Sequence, residues 1–376
     1  MEAPLLARMY RIVGLGTLAL VALLITLYSL VSAYVEASLL NIVDLPLNPP
    51  APGGLVLVNV YSGIATSPIT GLVDRGILSK LEGVGGVITW VEVTTPALVN
   101  GNPVVVRGVD ERWVDIYKPE VVEGEGFQVG ALSKAWVGVN AARRLGVKPG
   151  DLIVVKSLFT NVEALLIVAG VLDTPQPYRY EVLVPLSIAY SLRGSTDPSV
   201  VRVAYDPSMV DEGRLAELLG SKEVIPAGVS RVVSALAYKG YVRVEDPSVA
   251  QRYYVERLGV PYEVVVVTAL VSNVIVSLLN IVPAWLIFSL RRRSLRVLVE
   301  QGVTPNAIRL SLAIMTIPLV TLASLAGLLA IRLLEPPTIL GYPIDLELPA
   351  NLALAHILVQ VILYTLGLLS GDTSEG

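Results

Sequence analysis

The side chains that commonly carry enzyme chemistry are scarce in this chain. Its 376 residues include no cysteine and a single histidine, His356. Without cysteine there are no disulfides, no thiolate nucleophiles and no cysteine-ligated zinc or iron–sulfur sites. One histidine also excludes most histidine metal clusters and any Ser-His-Asp site beyond its reach. We therefore expect no metal and no cofactor, and we expect that the chain is not an enzyme.

Nucleotide binding is not expected either, because no phosphate-binding loop is present. The glycine-rich strings that come nearest to such a loop, 124–130 and 146–150, lack the Gly-Lys-Ser/Thr ending that cradles phosphates. If ATP drives this protein, a separate subunit must bind it.

Acidic side chains are concentrated in one stretch, and their spacing matches no calcium-binding loop. We interpret this stretch as a solvated face, and no spacing in it singles out two carboxylates for hydrolysis. The acidic residues are Asp110, Glu111, Asp115, Glu120, Glu123 and Glu125.

The composition is that of a membrane protein. Hydrophobic residues make up 53% of the chain, charged residues only 16%, and the mean hydropathy is +0.67. An ordinary soluble domain carries about 25% charged residues. The formal net charge of −4 also argues against nucleic acid as a partner.

Four uncharged stretches, 12–35, 264–290, 310–331 and 348–371, are long enough to cross a bilayer. The first could instead be a signal peptide, but its 24 residues exceed the usual apolar core of about 7–15. We therefore predict four transmembrane α-helices in a one-plus-three arrangement. A large extracytoplasmic α+β domain, 36–263, separates the first helix from the second.

The charged residues that flank these stretches predict the orientation, because short arginine-rich segments stay in the cytoplasm. The segments 1–11 and 291–309 are rich in arginine, whereas the loop 332–347 is acidic. We therefore expect both termini in the cytoplasm of a multi-pass cell-membrane protein, with 36–263 and 332–347 outside. The tail 372–376 is predicted to be cytoplasmic as well.

Short apolar runs punctuated by turn residues indicate that 36–263 is rich in strands. Strands and helices mix without a regular βαβ alternation, which favours α+β over a doubly wound sheet. The predicted strands are Leu55–Tyr61, Gly86–Val93, Pro103–Val109, Asp151–Val155, Ala164–Val171 and Val200–Ala204. The predicted helices are Ser133–Leu145, Pro185–Leu192 and Asp211–Leu219.

Five segments of this domain follow one another in an order that is characteristic of a known domain type. They are GNPVVVRGVD (101–110), VVEGEG (121–126), VGVNAARRLGVKPGDLIVV (137–155), GVLD (170–173) and VLVPLSIAYSL (182–192). This order resembles the periplasmic core domain of the MacB-like and FtsX-like ABC transporter permeases. The resemblance implies a permease subunit that works as a dimer with a separate cytoplasmic ABC ATPase.

The segment 291–308 is similar to the stretch that follows the second span in the same family. The resemblance implies that 291–301 is a short helix that couples to the ATPase, with Leu298 as its apolar anchor. We expect Gly302 to end this helix and Thr304-Pro305 to open the third span. Basic clusters beside a membrane are also common topology anchors, which is the alternative. The predicted coupling residues are Arg291, Arg292, Arg293, Leu295, Arg296, Leu298 and Gly302.

Four polar residues lie inside the predicted spans. His356 and Gln360 are one helical turn apart, and Asn273 and Asn280 are seven residues apart. Because no predicted span contains Asp or Glu, a proton relay is not expected. We interpret all four residues as sources of hydrogen bonds between helices.

The function predicted from the sequence is that of an ABC permease subunit. It would pass an ATP-driven change from the cytoplasm to the extracytoplasmic domain, for export or for mechanotransmission. A homodimer and a heterodimer with a second permease chain are both compatible with the sequence. The alternative is a membrane-anchored sensor or adaptor whose outer domain binds a partner without transport.

Overall fold

A computed structural model describes residues 3–45, 47–62, 68–220, 242–245 and 262–370. The chain divides into two compact units. The helical unit comprises Met1–Ile42, Val260–Pro337 and Ile344–Gly376. The sheet unit comprises Val43–Gly259 and Thr338–Pro343. The predicted tail 372–376 lies outside the described residues, as do 221–241 and 246–261 of the predicted extracytoplasmic domain.

The elements are numbered in chain order. The helices are α1 (Ala3–Leu40), α2 (Gly76–Leu81), α3 (Glu111–Tyr117), α4 (Val139–Leu145), α5 (Leu186–Arg193), α6 (Glu212–Leu219), α7 (Tyr262–Ser277), α8 (Ile281–Glu300), α9 (Pro305–Ala330) and α10 (Ala350–Ser370). The strands are β1 (Val56–Ser62), β2 (Val87–Val99), β3 (Asn102–Val109), β4 (Glu120–Gly124), β5 (Lys134–Gly138), β6 (Leu152–Ser157), β7 (Glu163–Asp173), β8 (Val182–Pro185), β9 (Val200–Tyr205), β10 (Val242–Glu245), β11 (Thr338–Ile339) and β12 (Tyr342–Pro343).

Within the described residues, four helical stretches are long and apolar enough to cross a membrane. They are Leu5–Leu40, Val264–Glu300, Pro305–Leu333 and Ala350–Ser370. Even the shortest, at 21 residues, spans about 30 Å, which matches the hydrocarbon core of a bilayer. The length and apolar composition of these helices are those of a membrane protein. They extend past several predicted ends because arginine and glutamate near those ends are compatible with a helix.

The second span differs from the prediction in two ways. A 3₁₀ turn at Leu278–Asn280 separates α7 from α8, and α8 then continues without a break to Glu300. Pro283 lies in the first turn of α8, where its missing N–H removes no bond within that helix. No glycine or proline follows it before Gly302, so 291–300 continues α8 and is not the separate short helix that the sequence predicts.

Small residues allow the membrane helices to approach closely, as in other membrane bundles. A Cβ atom at Gly327 of α9 would lie 2.7 Å from Cβ of Ser29 in α1. A Cβ atom at Gly367 of α10 would lie 2.9 Å from Cβ of Ala284 in α8. A side chain at either glycine would push two helices apart.

The sheet unit is built around one mixed sheet with the order β10-β1-β9-β2-β3-β8-β5-β7-β4, and β6 pairs with both β2 and β7. The pairs β3–β8 and β5–β7 are parallel, whereas the other described pairs in this sheet are antiparallel. All six predicted strands are present with end shifts, and the mixed arrangement agrees with the α+β prediction.

The predicted helix Ser133–Leu145 is correct only in its second half. Its first part is the buried strand β5, and only Val139–Leu145 is helical. Trp136 and Val137 favour a strand, and both are fully buried in the sheet unit. Gly138 permits the switch, because a Cβ there would lie 2.2 Å from the carbonyl oxygen of Tyr178. Gly146, with φ of 66°, ends the helix as predicted.

Candidate functional site

The C-terminal end of α8 is capped by a glycine, Gly302. Gly302 has φ of 87°, in the left-handed region that favours glycine. Its N–H donates to the carbonyl of Val299 at 2.9 Å, and the N–H of Val303 donates to the carbonyl of Leu298 at 3.0 Å. These two bonds form a Schellman motif, so the chain leaves the helix with a fixed geometry.

The helix α9 begins directly after this stop. The Thr304 hydroxyl oxygen accepts a hydrogen bond from the N–H of Ala307 at 3.3 Å, and Pro305 occupies the first turn. The two caps therefore enclose a short connection between α8 and α9, as the sequence predicts.

The predicted anchor Leu298 is not on the surface. Leu298 is 3% exposed and Leu295 is 2% exposed, and both belong to the core cluster that contains Met9, Val13 and Ile308. Residues three apart on a helix share a face, and this face is turned into the helical unit. The expectation that Leu298 contacts a partner is therefore corrected, because its side chain holds the end of α8 inside its own chain.

The opposite side of α8 is exposed and basic. Arg293, Arg296, Val297 and Glu300 follow the i, i+3, i+4, i+7 spacing of one helix face, and Arg292 is exposed beside them. Val297 is 48% exposed and is the apolar residue of this face. We call Arg293, Arg296, Val297 and Glu300 the α8 face. Val297 and Glu300 were not among the predicted coupling residues, because the sequence does not reveal which side of the helix is buried.

Arg291 has a different environment from the arginines that follow it. Its guanidinium donates two hydrogen bonds to the Thr17 hydroxyl, from Nη2 at 2.8 Å and from Nε at 3.2 Å. Thr17 belongs to α1, and the side chain of Arg291 lies beside Gly14 of the same helix. Arg291 therefore ties α8 to α1 and contributes less to the exposed surface than its neighbours.

The four polar residues of the spans meet in one buried cluster. Asn273, Asn280, His356 and Gln360 are each at most 2% exposed. Asn280 donates to the Gln360 amide oxygen, and Gln360 Nε2 donates to the hydroxyl of Ser277 at 2.7 Å. The cluster thus links α7, the 3₁₀ turn and α10 through hydrogen bonds.

A carboxylate that the sequence analysis left outside the spans completes this cluster. Because α1 continues to Leu40, Glu36 is part of the helix and is fully buried. Its Oε2 lies 3.0 Å from Nδ1 of His356 and accepts from Nδ2 of Asn273 at 2.9 Å. The expectation that no acid lies in a span is therefore wrong. The spacing of Ser29, Ser32 and Glu36 on one helix face was the missed signal.

The sheet unit holds a second buried network, made of ions. Glu92, Arg107, Glu181 and Arg202 are each fully buried. Arg107 pairs with both glutamates, and Arg202 donates to Glu92 from Nη2 at 3.0 Å and from Nε at 3.1 Å. Burial alone would raise the pKa of Glu92, but Arg202 and Arg107 outweigh it and lower that pKa to about 2. The two negative charges of Glu92 and Glu181 are therefore matched by the two positive charges of Arg107 and Arg202.

The connection between α9 and α10 contributes to this ionic network. Tyr342 of β12 is fully buried, and its hydroxyl donates to Oε1 of Glu181. Burial and the neighbouring Glu181 carboxylate raise the pKa of Tyr342 well above its ordinary value, so the hydroxyl keeps its proton. The sequence predicts only a loop over 332–347, because Leu340-Gly341, which turns the hairpin β11–β12 with positive φ at both residues, is not one of the usual hairpin pairs.

Two acids of the acidic stretch in the sheet unit have local structural roles. The Asp110 carboxylate caps α3 by accepting from the N–H of Trp113 at 3.0 Å, and Glu125 pairs with Lys134 at 2.6 Å. Among the residues that the structure describes, no group of three or more His, Cys, Asp or Glu side chains could hold a metal ion.

Known proteins that are similar to part of this chain are found among solved structures. No protein-family model matches the chain, and no curated protein matches it. Three solved structures are similar to about half of it. The extracellular domain of the noncanonic ABC-type transporter YknZ from Gram-positive bacteria is 15% identical, with a TM-score of 0.34 over 50% of this chain and 99% of that one.

The other two structures have similar values. The periplasmic region of MacB from Actinobacillus actinomycetemcomitans is 11% identical, with a TM-score of 0.35. A domain of a candidate permease protein from Porphyromonas gingivalis is 13% identical, with a TM-score of 0.32. Each match covers 53% of this chain and 92% of that chain. Because all three TM-scores are below 0.5, the functional proposal rests on the residues of this chain.

Proposed function

We propose that this chain is the permease subunit of an ABC transporter complex and that a separate cytoplasmic ATPase drives it. The observation that carries the proposal is α8, a continuous helix that presents a basic face with one apolar residue at its end. The motif order in the sheet unit and the segment 291–308, both of which resemble MacB-like and FtsX-like permeases, support the same function.

The proposed topology places both termini in the cytoplasm and the sheet unit outside. The arginines of 1–11 and 291–309 support this orientation. The length of the second span supports it as well, since its 37 residues would reach about 55 Å if fully helical. The hydrocarbon core is only about 30 Å thick, so the end of α8 would extend into the cytoplasm.

The end of α8 is suited to receive force because it is held on one side and exposed on the other. Leu295 and Leu298 pack into the core of the helical unit, and Arg291 is bonded to Thr17 of α1. A partner that pressed on the α8 face would therefore move several helices together rather than bend a loose loop. A transmitted displacement needs such a stiff path.

Two chain segments would carry this motion toward the sheet unit. The first is α1, which is followed along the chain by a 3₁₀ helix at Asn41–Asp44 and then by β1. The second is the hairpin β11–β12 between α9 and α10, which is part of the sheet unit and is held there by Tyr342. We propose that movement of the spans changes the sheet unit through both segments, for export or for mechanotransmission.

The proposed partners are a cytoplasmic ABC ATPase and a second permease chain, identical or related. The first test is whether a neighbouring gene encodes a P-loop ATPase, and the second is whether that ATPase co-purifies with this chain. We expect the isolated chain to bind no ATP, and we expect ATP hydrolysis only when both proteins are present. Stoichiometric ATP binding by the chain alone would contradict the proposal. Failure to capture the ATPase would favour the adaptor function instead.

A further inference from the structure

The strands β6 and β7 carry apolar side chains on both faces of the sheet. On one face, Ile153, Leu166 and Val168 are buried in the core of the sheet unit. The other face is exposed, and such a face usually carries polar residues. Here it is apolar as well. Its exposed apolar residues are Leu152 (56%), Val154 (43%), Leu165 (60%) and Ile167 (43%).

The register of the two strands joins these four residues into one patch. Leu152 lies directly opposite Ile167, and Val154 lies directly opposite Leu165. Directly opposite residues have Cβ atoms about 4.5–5.5 Å apart, so the four side chains are neighbours. The next pair on the same face is charged, and its Nζ and Oε1 atoms lie 3.1 Å apart. We call Leu152, Val154, Lys156, Glu163, Leu165 and Ile167 the β6–β7 face.

The β6–β7 face is large enough to form one half of a protein interface. An exposed apolar patch with a charged rim is typical of an interaction site. The exposed fractions of the six side chains amount to an area on the order of 500 Å², so two such faces would bury about 1,000 Å², the smallest area typical of a specific interface. Chains that are anchored in the same bilayer meet at a raised effective concentration, which compensates for a modest area.

A partner of this surface would pack on the face and would not extend the sheet at β6. The strand β6 is hydrogen-bonded to β2 on one side and to β7 on the other. It therefore has no free edge, which an added strand would need. Two sheet faces can instead pack about 10 Å apart through their side chains. The β6–β7 face thus fits the face of another sheet.

The charges around the apolar patch fit a second copy of the same chain. Lys156 and Glu163 lie at one end of the patch. At the other end, Lys134 of β5 is the sheet neighbour of Ile167, and its ammonium group lies 2.6 Å from Glu125. In a two-fold interface the same surface meets itself, so a patch of one sign would repel its copy. These neutral pairs can instead exchange partners between the copies, whereas a lipid surface would favour an excess of bases.

We propose that two copies of this chain associate through their β6–β7 faces, related by a two-fold axis. The four apolar side chains of each copy form the centre of the interface. At its rim, Lys156 of one copy pairs with Glu163 of the other, and the reverse pair forms as well. The inference rests on the proposed function only in that it makes the second permease chain an identical copy. It involves no ATPase, so it can fail or succeed independently of ATPase binding.

The test is cross-linking between single cysteines, which this cysteine-free chain permits. The full chain with Val154→Cys is reconstituted in lipid vesicles that hold several copies each. It is treated with a bis-maleimide that spans about 10 Å, the distance between packed sheets. Ile88→Cys is the control, because Ile88 is also 43% exposed but lies on the part of β2 that pairs with β9. We expect at least about tenfold more covalent dimer from Val154→Cys, since the interface would hold its two cysteines close together.

Charge reversal tests the two-fold arrangement. In the Val154→Cys chain, Lys156→Glu or Glu163→Lys gives both copies a rim of one sign, so the yield of covalent dimer should fall about tenfold. An equimolar mixture of the two variants brings opposite charges together again and should restore the yield to within about twofold. Arg179→Glu is the matched control, because it reverses one charge of an exposed ion pair with Asp173 outside the face. It should change the yield less than about twofold.

Three results would overturn the proposal. They are equal cross-linking of Val154→Cys and Ile88→Cys, an unchanged yield after either charge reversal, and a mixture that does no better than its separate components. Rescue by the mixture also shows that the variants are folded.

A polarity-sensitive dye on Val154→Cys tests whether lipid covers the face instead. The dye should move to a more polar environment when the vesicles are diluted to one chain each, because the second copy is then absent. A dye that stays in an apolar environment at that dilution would assign the face to the lipid surface and overturn the proposal.

Discussion

The two units of this protein bury polar groups in different ways. The sheet unit buries four ionised side chains, Glu92, Arg107, Glu181 and Arg202, whose charges cancel. The helical unit buries one acid and one histidine among neutral amides and hydroxyls, with Glu36 as its only buried carboxylate among the described residues. Arginine side chains compensate the buried acids of the sheet unit, whereas Glu36 contacts only His356 and an asparagine amide.

This difference follows from where the charged residues of the sequence lie. The sheet unit is rich in arginine, so fixed counter-charges were available to its buried acids. The stretches that cross the membrane are almost free of charge. A guanidinium keeps its charge at every ordinary pH. The ionic network should therefore lose stability in acid, where Glu92 becomes protonated.

The largest expected effect comes from breaking the ionic network. Arg107→Met leaves Glu92 and Glu181 without one of their cations while keeping most of the side-chain volume. Removing one partner of a buried ion pair typically costs about 3–5 kcal/mol, because an uncompensated charge remains buried. We expect a loss of this size in the free energy of unfolding, measured by denaturant unfolding with fluorescence from the buried Trp90, Trp113 and Trp136.

The matched control for this variant is Lys134→Met. It breaks the ion pair between Lys134 and Glu125, which are 32% and 54% exposed. Solvent screens such a pair, so the change should stay below about 1 kcal/mol. Equal effects of the two substitutions would show that the buried network does not stabilise the sheet unit.

Lowering the pH should have the next largest effect on the stability of the sheet unit. The pKa of Glu92 is lowered from an ordinary value of 4.5 to about 2 in the folded protein. Ionisation of Glu92 therefore stabilises the fold fully at pH values above 4.5. This contribution, about 3 kcal/mol, is lost as the pH falls from 4.5 toward 2. Tryptophan-detected unfolding between pH 6 and pH 2.5 measures it. Unchanged stability at pH 2.5 would mean that Arg107 and Arg202 do not hold Glu92 ionised.

A smaller effect is expected in the helical unit, where the substitution disturbs helix packing and does not break an ion pair. Gly327→Ala places a Cβ atom 2.7 Å from the Cβ of Ser29 and should separate α1 from α9. Overpacking of this kind costs about 1–3 kcal/mol. Gly16→Ala is the control, because a Cβ there meets nothing within 4 Å. Spin labels on cysteines that replace the exposed Leu27 of α1 and Leu322 of α9 would detect the difference, and equal packing of both variants would contradict a close contact at Gly327.

Elements that depend on local pattern were predicted well from the sequence. All six predicted strands have a counterpart in the sheet, and the caps at Gly302 and Thr304 occur where the residue types indicate them. Strand alternation, helix stops and helix caps are read from neighbouring residues, so they need no knowledge of the fold. The strand β5 was missed because its few apolar residues precede a helix with the same apolar spacing.

Features that depend on tertiary contacts were not predictable in the same way. The sequence shows that Leu295 and Leu298 share a helix face, but it does not show whether that face meets a partner or the protein's own core. Glu36 was excluded because a span was ended at the first charge, although a helix can continue through a charge that is paired inside the bundle. The contact between Tyr342 and Glu181 joins residues 161 positions apart, and no local pattern encodes it.

The central claim is that an ATPase docks on the α8 face, and one capture experiment tests it. Val297→Asp changes an exposed apolar residue of that face and should weaken ATPase binding by about 1–3 kcal/mol, or roughly 5- to 150-fold. Ile314→Asn serves as the control, since Ile314 is exposed to a similar extent but belongs to α9, and this variant should capture the ATPase like the unmodified chain. Membrane levels of both variants are compared by quantitative immunoblotting. Undiminished capture by Val297→Asp would contradict the claim and leave the basic segment as a topology anchor.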